Sequence, residues 1–139
     1  ESRLRAALRA GADRAIRSHE PIPPADRVFL CTGSAAASVQ GLAAVNRGGH
    51  VLFFAAAGPD KELAIPVTKF WFSQPTIQFS YGAAPRDMEE AIEWIRSGQV
   101  TVADLITHRL GIEQTPQAFD LAAHPRDGSL KIIIHPNGA

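Results

Sequence analysis

The sequence predicts an α/β fold built on a parallel sheet, and three observations predict it. Residues 28–31 (Val-Phe-Leu-Cys) and 51–54 (Val-Leu-Phe-Phe) are short, unbroken apolar runs of the kind buried in such sheets. Between them, residues 35–46 are small and helically spaced, with Val39, Leu42 and Ala43 on one face, Ser34 as N-cap and Gly48 as stop. A strand–helix–strand unit makes its two strands parallel, and the crossover is almost always right-handed. Ligands of these sheets bind beyond the carboxyl ends of the strands, which are here Thr32-Gly33 and Ala55-Ala56. Small residues at both ends allow a flat group to approach the backbone closely. A plain α/β core with short turns fits the same stretch equally well.

The flanking segments follow the same logic. Leu4, Ala7 and Leu8 share a helical face that Gly11 ends, and residues 12–17 read as a short strand. Pro21, Pro23 and Pro24 restrict residues 19–24 to a connection. After a loop to Ile65-Pro66, residues 67–72 form a short apolar helix carrying Phe70, Trp71 and Phe72. Residues 76–81 alternate, with Ile77, Phe79 and Tyr81 on one face and Gln78 and Ser80 on the other, as in an edge strand. Pro85 opens a helix with the stripe Met88, Ala91, Ile92 and Ile95, closed by Gly98. Residues 105–110 read as a strand. Thr115 caps a helix whose apolar face is Ala118, Phe119 and Ala122. Asp127-Gly128 turns into a last strand at residues 130–134, and a loose tail follows Pro136.

Composition narrows the class of function. Fourteen basic and fourteen acidic residues among 139 leave no net charge, so neither a nucleic-acid nor an anionic-membrane partner has electrostatic support. No apolar run approaches the roughly 18 residues that a membrane span needs. A single cysteine, Cys31, leaves no internal disulfide and points to a cytoplasmic chain. The chain starts at Glu1 rather than methionine, and its first ten residues read like the middle of a fold. A piece of a longer protein is the expectation.

No catalytic set is visible. His19, His50, His108, His124 and His135 have no metal-ligand spacing and no partner cysteines. Cys31, inside an apolar strand, is expected to be inert packing. Asp87, Glu89, Glu90 and Glu93 fall on the solvated face of one helix.

The order of the motifs is more specific than any one of them. Leu4 through Gly11-Ala12-Asp13 resembles the helix and "GAD" that follow the second strand of the nucleotide domain in zinc-dependent medium-chain alcohol dehydrogenases. Val28-Phe29-Leu30-Cys31-Thr32-Gly33-Ser34 resembles that family's "DVVFECVGS". Arg47-Gly48-Gly49-His50-Val51-Leu52-Phe53-Phe54 is similar to its "RPGGRVVLVG". Residues 76–81 resemble "TIRGSY", residues 105–109 "LITHR", residues 115–119 "EAPEAF" and residues 130–134 "LKVVI". The polyol, threonine and alcohol branch is the most similar.

This resemblance implies that residues 1–78 are the second half of a Rossmann domain and residues 79–139 the segment completing a GroES-like catalytic domain. The glycine-rich loop, zinc ligands and proton relay would then lie before Glu1. It also implies cofactor-binding roles by position: Arg3 along the adenosine ribose, and Thr32, Gly33 and Ser34 in the turn under the cofactor. Phe54, Ala56 and Phe79 would lie near the nicotinamide carboxamide, and Lys131 would meet the pyrophosphate. Ordinary packing or surface roles compete for each, and His108 is read as structural. Two further departures are Pro21–Pro24, where the family has a helix, and Ala55, where it commonly has glycine.

The reading is part of an oxidoreductase that moves a hydride between an alcohol or polyol and NAD or NADP, NAD being favoured. Zinc would serve the intact protein without being bound by these residues, and the piece alone would be inactive. The assembly would be a homodimer or homotetramer, with a small-molecule alcohol or polyol substrate. The alternatives are a zinc-free quinone or enoyl reductase of the same superfamily, and a non-catalytic nucleotide-binding or dimerisation module.

Overall fold

The computed structural model describes residues 1–126 and 128–137. In chain order its elements are α1 (Ser2–Arg9), β1 (Ala25–Leu30), α2 (Ala35–Ala44), β2 (Val45–Phe53), α3 (Val67–Ser73) and β3 (Thr76–Phe79). They continue with α4 (Pro85–Arg96), β4 (Ile106–Gly111), α5 (Thr115–Ala123) and β5 (Lys131–His135). The chain forms two compact units, Ile16–Ala83 and Glu1–Ala15 with Ala84–Ala139. The expected domain boundary between residues 78 and 79 falls within β3, inside the first of these units.

In the first unit β1, β2 and β3 lie side by side in that order, all parallel. Val28 and Leu30 pair with Val51 and Phe53, which pair in turn with Ile77 and Phe79. Alternate side chains of a strand share a face, so these six point to one side, the side on which α2 packs. Leu30, Leu42, Val45 and Val51 form the buried core there, with Val51 only 1% exposed.

The inward face of α2 is Ser38, Gly41 and Leu42 rather than the expected Val39, Leu42 and Ala43; Val39 is 56% exposed. Gly41 explains the rotation. A Cβ there would lie 2.7 Å from Leu30 Cδ2 and 3.2 Å from Val28 Cγ1, so the helix approaches the sheet through its least bulky residue. Ser34 caps the helix as expected, its hydroxyl accepting from Ala37 N at 3.4 Å. The helix stops at Ala44, before Gly48, and β2 begins at once. Ala25 pairs with Val45 but Arg27 with His50, so residues 46–49 bulge from the ladder. Gly48 supplies a φ of +69° within this bulge, and Asn46 Nδ2 donates to Asp26 Oδ1 at 2.8 Å across it.

Among the described residues, strand β3 pairs only with β2. Ser80 N donates to Phe53 O at 3.0 Å. Because successive residues of a parallel strand bond to opposite sides, Gln78 also faces β2, and Ile77 and Phe79 direct their peptide groups to the open edge.

Residues 12–17 form no strand. An extended segment becomes a strand only by pairing, and this one has no ladder partner among the described residues. Cys31 is exposed just beyond the end of β1, not packed inside it.

In the second unit β4 and β5 form a parallel pair. Thr107 ties them: its hydroxyl donates to Lys131 O at 3.2 Å and accepts from Leu130 N at 3.0 Å. Helix α5 buries Ala118 and Leu121 instead of the expected Ala118, Phe119 and Ala122, and Phe119 is 68% exposed. Thr115 is the first helical residue rather than the cap; Gln114 holds the cap position, and the Thr115 hydroxyl donates to Ile112 O. On α4 the expected stripe aligns, but Met88, Ile92 and Ile95 stay about half exposed and no residue of the helix is buried. Of the expected Asp127-Gly128 turn, Asp127 lies outside the described residues, as do the last two residues of the tail.

Candidate functional site

At the carboxyl ends of β1, β2 and β3 the first unit opens into a cavity of about 580 Å³. That volume falls in the range typical of small-molecule sites. Three elements build it. The turn after β1 contributes Gly33, residues 55–59 after β2 form a rim, and Phe79, Ser80 and Tyr81 come from the end of β3. The floor is the inner face of the sheet and α2, through Leu42, Phe53 and Ile77. Phe53 and Phe79 stack with ring centroids 5.0 Å apart and planes 24° from parallel, an offset arrangement aromatic pairs favour.

The two strand-end turns touch. A Cβ built on Gly33 would collide with the carbonyl oxygen of Ala56 and lie 3.3 Å from Ala57 Cα. Gly33 therefore admits the neighbouring turn, a role distinct from the ligand approach suggested by its position. Leu30 O accepts from both Phe54 N (3.1 Å) and Ala55 N (3.2 Å), which fixes the start of the second turn. Ser34 N donates to Thr32 Oγ1 at 3.3 Å, bracing the first.

Of the eight residues expected to meet a cofactor, Gly33, Ala56 and Phe79 line this cavity. Thr32 and Ser34 flank Gly33 but do not line it, and neither does Phe54, which is 63% exposed. Arg3 and Lys131 belong to the other unit, where Arg3 Nη2 donates to Ser129 O at 3.4 Å, two residues before the exposed Lys131. Phe53, Ser80 and Tyr81 line the cavity without being among those eight. Strand parity was the available signal, because Phe53 alternates with Leu52 and shares the face of Val51.

The lining side chains include no nucleophile paired with a base. Among the described residues no three His, Cys, Asp or Glu side chains come together to hold a metal ion, and the cavity lining offers no ligand set for zinc. No described helix is long and apolar enough to cross a membrane. What the cavity can do is bind a flat, largely apolar group between stacked rings and backbone.

Residues 1–97 match the zinc-binding dehydrogenase family, and the chain belongs to it. An L-arabinitol 4-dehydrogenase from Aspergillus oryzae is 30% identical over 107 residues, covering 77% of this chain and 27% of that protein. A Clostridium scindens protein classed as a zinc-binding dehydrogenase superposes over 99% of this chain and 41% of its own, with TM-score 0.84 and 26% identity. A Sinorhizobium meliloti protein of the same class, bound to NADP, gives TM-score 0.86 at 19% identity over 98% of this chain and 43% of its own, a likeness of fold alone. The chain thus spans about a quarter of the curated relative and about two fifths of each solved neighbour. Its α/β architecture is that of the carboxyl-terminal, Rossmann-like part of these dehydrogenases.

Proposed function

We propose that this chain supplies the nicotinamide-side half of the nucleotide domain in an oxidoreductase acting on an alcohol or polyol with NAD or NADP. The observation that carries the reading is the cavity at the carboxyl ends of three adjacent parallel strands, where the Gly33 and Ala56 turns meet beside the Phe53–Phe79 stack. Family membership and the polyol named in the matched dehydrogenase support it. The bound cofactor supplies the hydride acceptor or donor.

The chain's own residues bind and orient. The turn at Thr32, Gly33 and Ser34 and the backbone near Phe54, Ala56 and Phe79 hold the flat ring and keep water from one side of it. Arg3 and Lys131 are proposed as cations for the ribose and pyrophosphate. NAD is the form we expect, within a cytoplasmic homodimer or homotetramer. Residues 1–78 act as the nucleotide-binding part and residues 79–139 as the segment returning to the catalytic part.

The test is a titration of the isotope-labelled chain with NADH and with NADPH, read from amide shifts. Saturable shifts at Gly33, Ala55–Ala57 and Ser80, accompanied by Arg3 and Lys131 and larger for NADH, are expected. Shifts that leave Gly33, Ala55–Ala57 and Ser80 unmoved, or none, would remove the reading.

A further inference from the structure

We propose that the outer face of the three-stranded sheet, opposite α2, holds a second site that takes an aryl carboxylate. It does not depend on the nicotinamide reading, which concerns the inner face and the strand ends.

The strand register builds this site. Arg27 of β1 lies beside His50 of β2, Phe29 lies beside Leu52, and Leu52 lies beside Gln78 of β3. Alternation turns these side chains away from the face of Leu30 and Val51. There they line a cavity of about 230 Å³. Leu42 of α2 and Phe70 of α3 both pack on the inner face, so neither helix covers the outer one. Phe29 is accordingly 64% exposed, with its ring open to a ligand.

Two features select the ligand. The first is charge. The lining sets a guanidinium and an imidazole side by side and includes no carboxylate, so the charge of Arg27 is answered by an incoming anion. The planar fork of an arginine holds a carboxylate by two parallel bonds, a geometry that an ammonium cannot reproduce. The second feature is the step from this polar pair to the apolar pair beside it. Residues two apart on one strand are separated by roughly 6.5 Å, and adjacent strands by about 4.8 Å. A carboxylate bonded directly to an aromatic ring spans that step. With its oxygens on Arg27 and His50, its ring lies offset on Phe29 and against Leu52. Gln78 closes the side toward β3. A small aliphatic acid reaches only the polar pair, and a neutral or cationic aromatic reaches only the apolar one.

The experiment titrates the labelled chain with sodium benzoate, sodium acetate and benzylamine hydrochloride at constant ionic strength. It follows the amides of Arg27, Phe29, His50, Leu52 and Gln78. Benzoate should saturate, acetate should bind about tenfold more weakly for want of the ring, and benzylammonium should move none of these amides. Arg27→Gln keeps the length of the side chain without its charge and should weaken benzoate by about tenfold or more, with Arg27→Lys recovering part of the loss. Phe29→Ala should weaken it severalfold. Both positions are exposed, so the amide spectrum of each variant should stay dispersed. Acetate binding as tightly as benzoate overturns the proposal, as does benzoate binding that Arg27→Gln leaves unchanged. Shifts confined to Ala55–Ala57 and Ser80 would put the ring in the other cavity and overturn it too, and so would an absence of saturation.

Discussion

Gly33 lies directly against the carbonyl of Ala56, so that a side chain at position 33 would occupy the space of that oxygen. The contact joins the turns after β1 and β2 and fixes the rim of the cavity. Because the obstacle is backbone rather than a flexible side chain, relief requires one turn to move. Gly33→Ala should therefore destabilise the chain by roughly 1–3 kcal/mol, the ordinary cost of overpacking. It should also change the amide shifts of residues 55–57. Chemical denaturation with an unchanged midpoint would show that the two turns are not held together in solution.

The carboxyl end of α5 predicts a pH response. Asp120 accepts from Arg126 Nη2 and, at 3.0 Å, from His124 Nδ1, while Arg126 Nη1 donates to His124 O at 3.1 Å. The Arg126 hydrogen bond, then that of His124, holds the Asp120 carboxyl below the usual aspartate value of 3.8. The folded value is the lower one, so the contribution to stability is complete above the ordinary aspartate range and is lost as pH falls through the folded value. These groups are solvent-exposed, and raised salt should weaken the effect. A carboxyl-carbon NMR titration should place Asp120 below the ordinary aspartate value of 3.8, and Arg126→Ala should raise it more than His124→Ala. An ordinary midpoint for Asp120 in the unaltered chain would show that the clasp does not persist.

The open edge of β3 is the proposed seam of a twofold dimer, since an uncovered ladder is a template for another strand. Peptide direction separates two proline variants. Gln78→Pro removes a bond to β2 and should destabilise each chain, whereas Phe79→Pro removes an outward donor together with the ring stacked on Phe53, so Phe79→Ala, which keeps the donor, is its control. Sedimentation should show Phe79→Pro shifted toward monomer, with its melting temperature falling less than that of Gln78→Pro. A dimer untouched by Phe79→Pro would put the interface elsewhere.

Lys131 begins β5 with an exposed side chain. As a point charge for a pyrophosphate it would add a charge-assisted bond of roughly 1.5–3 kcal/mol, so Lys131→Ala should weaken nucleotide binding about ten- to a hundredfold. Lys131→Arg should retain most of the affinity. Equal NADH affinity for the alanine variant and the parent would make Lys131 a surface residue with no part in binding.

Sequence alone determined the elements that depend on local chemistry. Apolar runs gave β1, β2 and β5, the Ser34 hydroxyl capped α2, and Pro85 and Gly98 bracketed α4, because strand periodicity, capping and left-handed glycine are set by the residues themselves. The ordered motifs carried the family as well. Tertiary structure decided which side each element turns. Helices α2 and α5 are rich in alanine, so their apolar faces are weakly marked, and the sheet chose Gly41 and Leu121 over Val39 and Phe119 by fit. Pairing partners decided the rest. Residues 12–17 found no ladder and stayed irregular, Cys31 fell one residue past β1 into solvent, and strand parity put Phe53 rather than Phe54 in the cavity. Each of these outcomes depends on a contact between residues distant in sequence, and such a contact leaves no signal in the local pattern.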